Sequence, residues 1–161
     1  MEYSKISNQL IKEILTTTKT IAMVGVSFIK NEKKSDIIRR RPSIIVMKYL
    51  QEFGYRVIPV NPFSVGQEIH GETVVAKLED ITIPIDIVDV FRPSIEAPML
   101  AKQAVKIQAK ALWLQYGIEN KKAQEIVELE NISYIANKCI KQEYQRLFLK
   151  ISPVFPALKT N

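Results

Sequence analysis

The stretch TIAMVGVS, residues 20–27, decides the fold of this chain. Ile21–Val24 is a short, almost wholly apolar run, which is the pattern of a parallel strand buried on both faces. Gly25 follows at once and allows the backbone a tight turn. In an α/β sheet, the loop after the first strand is where main-chain amides and a helix N-terminus meet a phosphate. The stretch therefore predicts a nucleotide-type binding domain whose ligand places its phosphates beside this loop.

Strands and helices alternate along the rest of the chain. Apolar runs predict five more strands, at residues 56–61, 72–75, 86–91, 110–115 and 132–136. Helical spacing of apolar residues predicts α-helices over 4–16, 42–53, 94–108, 120–129 and 140–149, with one helical turn over 77–81. The alternation predicts an α/β, Rossmann-like, doubly wound and mostly parallel sheet of five to six strands with helices on both faces. By analogy with dinucleotide folds the strand order is 3-2-1-4-5-6, so that the first and fourth strands part at the ligand site.

Length and composition favour an ordinary globular protein. The 161 residues are expected to form a single domain over 1–161 with a C-terminal tail at 151–161. Two alternatives stay open for that tail: it packs on its own domain, or it packs on a second subunit of a homo-oligomer. No apolar run reaches the about 18 residues of a membrane span, and charges occupy the place of a secretory apolar core. Cys139 is the only cysteine, which suits a reducing compartment. A cytoplasmic protein without a membrane partner is therefore expected.

Most of the excess positive charge lies in one short segment. The net charge is +6, and residues 28–41 contain six Lys or Arg residues against two acids, a charge of +4. A local cluster indicates a local anion. Phe28 is the only aromatic residue interleaved with these cations, and no RNA-binding motif accompanies them, so nucleic acid is disfavoured as a partner. An ordinary solvated loop stays an alternative.

Two common nucleotide motifs are missing. A dinucleotide site needs G-x-G-x-x-G and an acid at the end of the second strand, whereas this loop reads GVSFIK and the second strand ends in Asn61. NAD is therefore a poor candidate. The Walker pattern G-x-x-x-x-G-K-[ST] is absent from the chain, so ATP hydrolysis is unsupported.

Several further motifs follow one another in a recognisable order. GVS follows the first strand, and RPSIIVMKYLQEFGYRVIPVNP, DIVDVFRP, ALWLQYGI and NKCIK come after it. In this order and spacing the chain resembles the family of small stand-alone CoA-binding proteins, which is similar to the CoA-binding domain of the succinyl-CoA synthetase α subunit. The resemblance covers a core of residues 18–145. It implies a Rossmann-like domain that binds coenzyme A and usually has no assigned catalytic activity.

The resemblance also implies which residues contact coenzyme A or an acyl-CoA. The first loop would face the pyrophosphate through Gly25, Val26 and Ser27. The end of the second strand would line the adenosine side through Pro59, Val60, Asn61 and Pro62. The neighbouring strand would close the pocket through Phe91, Arg92 and Pro93, and the pantetheine path would be bordered by Gln115, Tyr116 and Gly117.

The charged loop departs from the family pattern. NEKKSDIIRR looks inserted before Arg41-Pro42-Ser43, so Arg41 is carried over from the family whereas Lys30, Lys33 and Lys34 are assigned by charge alone. Coenzyme A carries a 3′-phosphate besides its pyrophosphate, which an acid after the second strand would repel. Nearby cations would add charge-assisted contacts of about 1.5–3 kcal/mol each.

Simpler interpretations exist for the main site residues. Gly25 could be only a turn glycine, Asn61 could cap a turn before Pro62, and Arg92 could pair with a surface acid. Trp113 lies inside an apolar strand and is expected in the core rather than against a ligand.

The sequence contains no evident catalytic set. Cys139 follows the last strand, whereas His70 lies in a turn near the opposite edge of the sheet, so nothing brings the thiol and the imidazole together. The sequence therefore predicts a non-catalytic carrier, sensor or regulator that binds coenzyme A or an acyl-CoA. The alternatives are an NADP-type nucleotide-binding protein, a CoA-holding subunit of an acyl-CoA ligase or transferase, and a partner-binding module that only retains the fold.

Overall fold

A five-stranded parallel sheet forms the centre of the protein. The computed structural model describes residues 6–26 and 42–150. The strands of the sheet are β1 (Thr20–Val24), β2 (Arg56–Val60), β5 (Ile87–Val90), β6 (Ala111–Leu114) and β7 (Ser133–Ile135). They lie in the order β2-β1-β5-β6-β7, and every neighbouring pair is parallel. The Rossmann-like α/β fold class predicted from the sequence is confirmed.

Helices cover both faces of this sheet. They are α1 (Asn8–Thr17), α2 (Pro42–Glu52), α3 (Ala97–Lys106), α4 (Lys121–Glu128) and α5 (Ile140–Tyr144), and a π-helical segment over Gln145–Leu149 continues α5. Two 3₁₀ turns, Leu78–Asp80 and Ser94–Glu96, precede β5 and α3.

Each face of the sheet has its own apolar core, because successive side chains of a strand point to opposite sides. Ile21 and Met23 pack with α1, α2 and α5, on what is called here the α2 face. Ala22 and Val24 pack with α3 and α4, on the α3 face. The four residues Ile21–Val24 are all buried, as expected for a central parallel strand. Trp113 is fully buried, which confirms its place in the core, and its indole Nε1 donates to the Lys138 carbonyl oxygen at 2.7 Å.

The predicted third strand of the sheet is wrong. Instead, β3 (Glu68–Ile69) and β4 (Glu72–Thr73) form an antiparallel hairpin outside the main sheet. His70 and Gly71 connect them with φ values of 48° and 84°, the two positive values that a tight two-residue hairpin turn requires. After the hairpin, Val75 forms one parallel bridge to Val60 at the sheet edge. The remaining strands keep the predicted order.

Two predicted helix starts also differ from the structure. The first helix begins at Asn8 rather than at residue 4, because the Ser7 hydroxyl accepts the Leu10 amide at 3.1 Å and caps it. The helix predicted from residue 94 begins at Ala97, because Ser94 opens a 3₁₀ turn and its hydroxyl accepts the Glu119 amide at 3.3 Å.

Candidate functional site

A cavity of about 300 Å³ lies at the carboxyl edge of the sheet, on the α3 face. Its walls come from the ends of β1 and β2, the loop before β5, and the segment from the end of β5 into α3. They are Val24, Gly25, Val60, Asn61, Pro62, Phe63, Ala76, Lys77, Leu78, Arg92, Glu96, Met99, Leu100 and Gln103. The helices that follow β1 and β5 lie on opposite faces of the sheet, which creates a crevice at the carboxyl ends of these neighbouring strands. Such crevices are where α/β sheets bind ligands.

Gly25 has a steric requirement that the sequence did not reveal. Its φ is 95°, and an added Cβ would lie 2.8 Å from Arg92 Cδ and 2.8 Å from the Phe91 carbonyl oxygen. The Gly25 amide donates to the Val60 carbonyl oxygen at 2.9 Å. A glycine is therefore needed here because the Arg92 side chain and the end of β5 pass directly over it.

Asn61 fixes the loop that follows β2. Its side-chain amide donates to the Val26 carbonyl oxygen at 3.0 Å, and its Oδ1 accepts the Phe63 amide at 2.9 Å. Asn61 thus stabilises the turn at Pro62 and Phe63. The same side chain also joins the loops after β1 and β2 at the cavity wall. Phe63 lines the cavity while its side chain is mostly open to solvent, with the residue 91% exposed.

Arg92 forms an ion pair inside the cavity wall. Its Nε lies 3.2 and 3.1 Å from the two carboxylate oxygens of Glu96, and its Nη2 lies 2.7 Å from Oε2. The two residues are four apart, a spacing typical of ion pairs at helix starts. Both groups keep contact with water, since 44% of the Arg92 side chain and 33% of the Glu96 side chain are exposed.

Only part of the predicted contact set lines this cavity. Gly25, Val60, Asn61, Pro62 and Arg92 do. Ser27, Lys30, Lys33, Lys34 and Arg41 lie outside the described residues.

The other predicted contacts that the structure describes are not in the wall of this cavity. Val26 and Phe91 pack with the core of the α2 face, Pro59 is buried within β2, and Pro93 is exposed beside the 3₁₀ turn. Beyond β6, Tyr116 is exposed, and the amide of Gly117 donates to Asn137 Oδ1 at 2.7 Å.

Sequence reasoning missed several wall residues. They are Phe63, Lys77, Glu96, Met99 and Gln103 among others. Phe63 follows the PVNP motif directly, and Glu96 stands four residues after Arg92, so both could have been found from spacing. Met99 and Gln103 line the cavity from α3, where only the packing of the helix against the sheet shows which side chains face the opening.

Gln115 belongs to a buried polar cluster on the α2 face. Its Nε2 donates to Asp89 Oδ1, and its Oε1 accepts the Ile140 amide at 3.3 Å. Asp89 is fully buried, and its second oxygen, Oδ2, has no hydrogen-bond partner among residues 6–26 and 42–150. Burial raises the pKa of Asp89 to about 8, against the hydrogen bond from Gln115, which lowers it. Burial likewise raises the pKa of the Cys139 thiol, so this cysteine is a weak nucleophile.

The cavity chemistry suits a nucleotide with phosphate groups. Most of the wall residues that the structure describes are apolar, and the charged ones among them are two cations, Lys77 and Arg92, and one acid, Glu96. Such a mixture of apolar walls and few polar groups is typical of cofactor sites. Among residues 6–26 and 42–150, no three His, Cys, Asp or Glu side chains form a group that could hold a metal ion.

Comparison with known proteins decides the family. The sequence model of the family described as CoA binding domain matches residues 19–145. The chain belongs to this CoA-binding domain family. The matched residues include all five strands of the main sheet and the described residues of the cavity wall.

Two relatives of this CoA-binding domain are similar over most of their length, and a larger protein is similar over part of its length. An uncharacterized protein, YneT of Bacillus subtilis, is 38% identical over 131 residues, which are 81% of this chain and 89% of the relative. The solved structure of a hypothetical protein from Pyrococcus horikoshii OT3 is 36% identical with a TM-score of 0.77, covering 91% of this chain and 99% of the other. A dinucleotide-forming acetyl-coenzyme A synthetase of Ca. Korarchaeum cryptofilum, solved in its apo form, shares the fold at 19% identity and a TM-score of 0.54, over 74% of this chain and 26% of the other.

The described helices of the CoA-binding domain are short. None of those within 6–26 and 42–150 combines the length and apolar character that crossing a bilayer demands.

We expect Gly25→Ala to destabilise the protein more than Gly54→Ala. Both glycines have a φ of 95°, but a Cβ at Gly54 meets no atom within 4 Å. The Gly54 change should therefore cost about 1 kcal/mol of backbone strain, and the Gly25 change at least about 2 kcal/mol because Arg92 and the Phe91 carbonyl must also move. Urea denaturation of the two variants measures the difference. Equal losses would show that the passage of Arg92 over Gly25 is not close in solution.

We expect the stability of the protein to fall as pH rises from about 4 to about 8. In this range the folded protein keeps a proton on Asp89 that the unfolded chain has released, so ionisation favours unfolding until the folded pKa of about 8 is passed. Asp89→Asn keeps a neutral side chain of similar shape. This variant should lose that slope and be more stable than the unmodified protein near pH 8 by about 1 kcal/mol or more.

Urea denaturation at a series of pH values measures the effect of Asp89. Asp86→Asn serves as the control, because the Asp86 carboxylate accepts the Lys19 and Thr20 amides at 2.8 and 3.1 Å and should be needed for stability at neutral pH. An Asp89→Asn variant with an unchanged pH profile would contradict the prediction.

Proposed function

We propose that the protein binds coenzyme A or an acyl-CoA as a non-catalytic carrier, sensor or regulator. Membership of the CoA-binding domain family supports this proposal, and so does the cavity at the carboxyl edge of β1, β2 and β5. The observation that carries it furthest is the wall of this cavity, where Gly25, Asn61 and Arg92 converge from three different strand ends.

The cavity would hold the adenosine part of the ligand. Its volume of about 300 Å³ is at the lower end of ligand pockets, so it suits a nucleoside rather than the whole cofactor. Phe63 and Met99 line it with exposed apolar surface on which a base could stack. Asn61 stands where NAD-binding proteins have an acid, so a phosphate on the ribose meets no carboxylate from β2.

The rest of the cofactor would extend along the edge of the sheet. The pyrophosphate would lie beside Gly25, Val26 and Ser27, and the cations Lys30, Lys33, Lys34 and Arg41 would be available to it. The pantetheine arm would run past Tyr116 and Gly117 after β6. Coenzyme A supplies a thiol for carrying acyl groups, and this chain would bind and orient that cofactor without a nucleophile of its own.

A role in the cytoplasm and a small anionic ligand in place of nucleic acid are further parts of this proposal. The single cysteine of the sequence supports a reducing compartment. The concentration of positive charge in residues 28–41 supports a small anionic ligand over nucleic acid.

We expect calorimetric titration to show that the protein prefers coenzyme A to other nucleotides. Coenzyme A and acetyl-CoA should bind at least about tenfold more tightly than NADP or ATP, a difference of about 1.4 kcal/mol. Similar affinities for coenzyme A and acetyl-CoA would favour a carrier or sensor that does not read the acyl group. Binding of NADP alone would overturn the assignment, and binding of none of the four would favour a module that only retains the fold.

We expect Phe63→Ala to weaken coenzyme A binding at least about fivefold, because stacking of a base on an aromatic ring contributes about 1–3 kcal/mol. The stability of the protein should stay the same, since Phe63 is 91% exposed. Leu129→Ala is the matched control, because Leu129 is also strongly exposed but does not line the cavity. Calorimetry and thermal unfolding of both variants test this. Unchanged affinity in Phe63→Ala would place the base outside this cavity.

A further inference from the structure

Arg92, one of the two cations in the described cavity wall, already has an anionic partner. Arg92 offers Nε and Nη2 to both oxygens of Glu96, at 2.7–3.2 Å. A guanidinium binds a phosphate through the same pair of parallel hydrogen bonds. Since both residues line the cavity, Glu96 occupies the donor atoms that a phosphate in the cavity would use.

The position of Arg92 limits how it can respond to a ligand. The aliphatic part of the Arg92 side chain lies against Gly25. From there its guanidinium extends towards the 3₁₀ turn that contains Glu96. The pair is partly exposed to water, and such pairs contribute little to stability. A ligand phosphate therefore has enough interaction energy to take the place of the carboxylate.

When a phosphate displaces Glu96 from Arg92, the negative charge of Glu96 remains in the cavity. Once a phosphate has taken the Arg92 donors, the Glu96 carboxylate stays in the same cavity wall as an unpaired negative charge beside the new anion. The described wall then contains two cations, Lys77 and Arg92, facing both the ligand and this acid. Repulsion between like charges lowers affinity for each phosphate that approaches Arg92.

We infer that Glu96 is a specificity-determining residue that competes with the ligand phosphate for Arg92 and thereby limits the affinity for phosphorylated adenosine ligands. The inference rests on the proposed function, because the phosphate in question is one of those on coenzyme A or a related nucleotide. It goes further in naming the residue that sets how strongly the site depends on phosphate charge. A ligand without phosphate gains nothing from losing this acid, whereas a phosphorylated ligand does.

The decisive experiment is calorimetric titration of the unmodified protein and Glu96→Gln. The ligands are adenosine, dephospho-coenzyme A and coenzyme A. Glutamine keeps the size of the side chain and removes its charge, so coenzyme A should bind roughly three- to tenfold more tightly to Glu96→Gln, while adenosine binds equally to both. The gain should shrink as salt is raised, because the repulsion is screened.

Two further variants separate the competition from a general change in charge. Glu72→Gln is the matched control, because Glu72 forms a similar pair with Arg56 at 3.1 Å outside the cavity wall and its loss changes the net charge by the same amount. This control should leave the affinity for coenzyme A unchanged. In an Arg92→Ala background, Glu96→Gln should keep only the part of its effect that comes from charge repulsion and lose the part that comes from competition, because the contested donors are gone.

The ligand series also identifies the phosphate that meets Arg92. A gain for coenzyme A but not for dephospho-coenzyme A assigns the 3′-phosphate, and an equal gain for both assigns the pyrophosphate; either result supports the competition. Weaker or unchanged binding of coenzyme A to Glu96→Gln overturns it, since weaker binding would mean that Glu96 accepts hydrogen bonds from the ligand.

Failure of the proposed function gives a different result. If the unmodified protein binds another adenine nucleotide but no coenzyme A, the assignment of the cofactor is wrong, while tighter binding of that nucleotide to Glu96→Gln still supports the competition. If neither protein binds any adenosine ligand, both ideas are wrong.

Discussion

The passage of the Arg92 side chain over Gly25 is the constraint on which the candidate site depends. Gly25 ends β1 with a positive φ, and the atoms of Arg92 and Phe91 lie where any Cβ would be. Only because a glycine follows β1 directly can the residues after β5 approach this closely. The closeness brings a cation from one strand to the opening between two strands, next to the loop of Asn61.

The architecture was predictable because it follows from local patterns. Buried strands such as Ile21–Val24 are almost wholly apolar, and their alternation with helical spacing leaves few topologies once crossovers are right-handed. The segment around Val75 was not predictable in the same way. Its apolar residues match a strand, but the positive φ values at His70 and Gly71 fold the preceding residues into a hairpin, and only tertiary packing leaves Val75 with a single bridge to the sheet.

The candidate site was predictable where strand ends supply its residues and less so where a helix does. Gly25, Asn61 and Arg92 follow strands, so the order of the sheet brings them to one edge. Met99 and Gln103 lie on α3, and which of its side chains face the cavity depends on how that helix packs. Identifying the partner of Arg92 required both the sequence and the structure. The spacing of four residues suggests Glu96, and the structure shows that the pair lies in the cavity wall.

The proline in β2 has a consequence for how copies of this protein meet one another. β2 is the outermost strand on its side of the sheet, and the main-chain groups of residues 59 and 61 point outward, where they pair with Val75 through Val75 N–Pro59 O at 3.0 Å and Asn61 N–Val75 O at 2.9 Å. Pro59 has no amide hydrogen to donate on that side. The bridge to Val75 already uses the Pro59 carbonyl and the Asn61 amide. A second chain therefore finds no continuous ladder of donors along this strand, and the protein is guarded on that flank against joining its sheet to that of a neighbour.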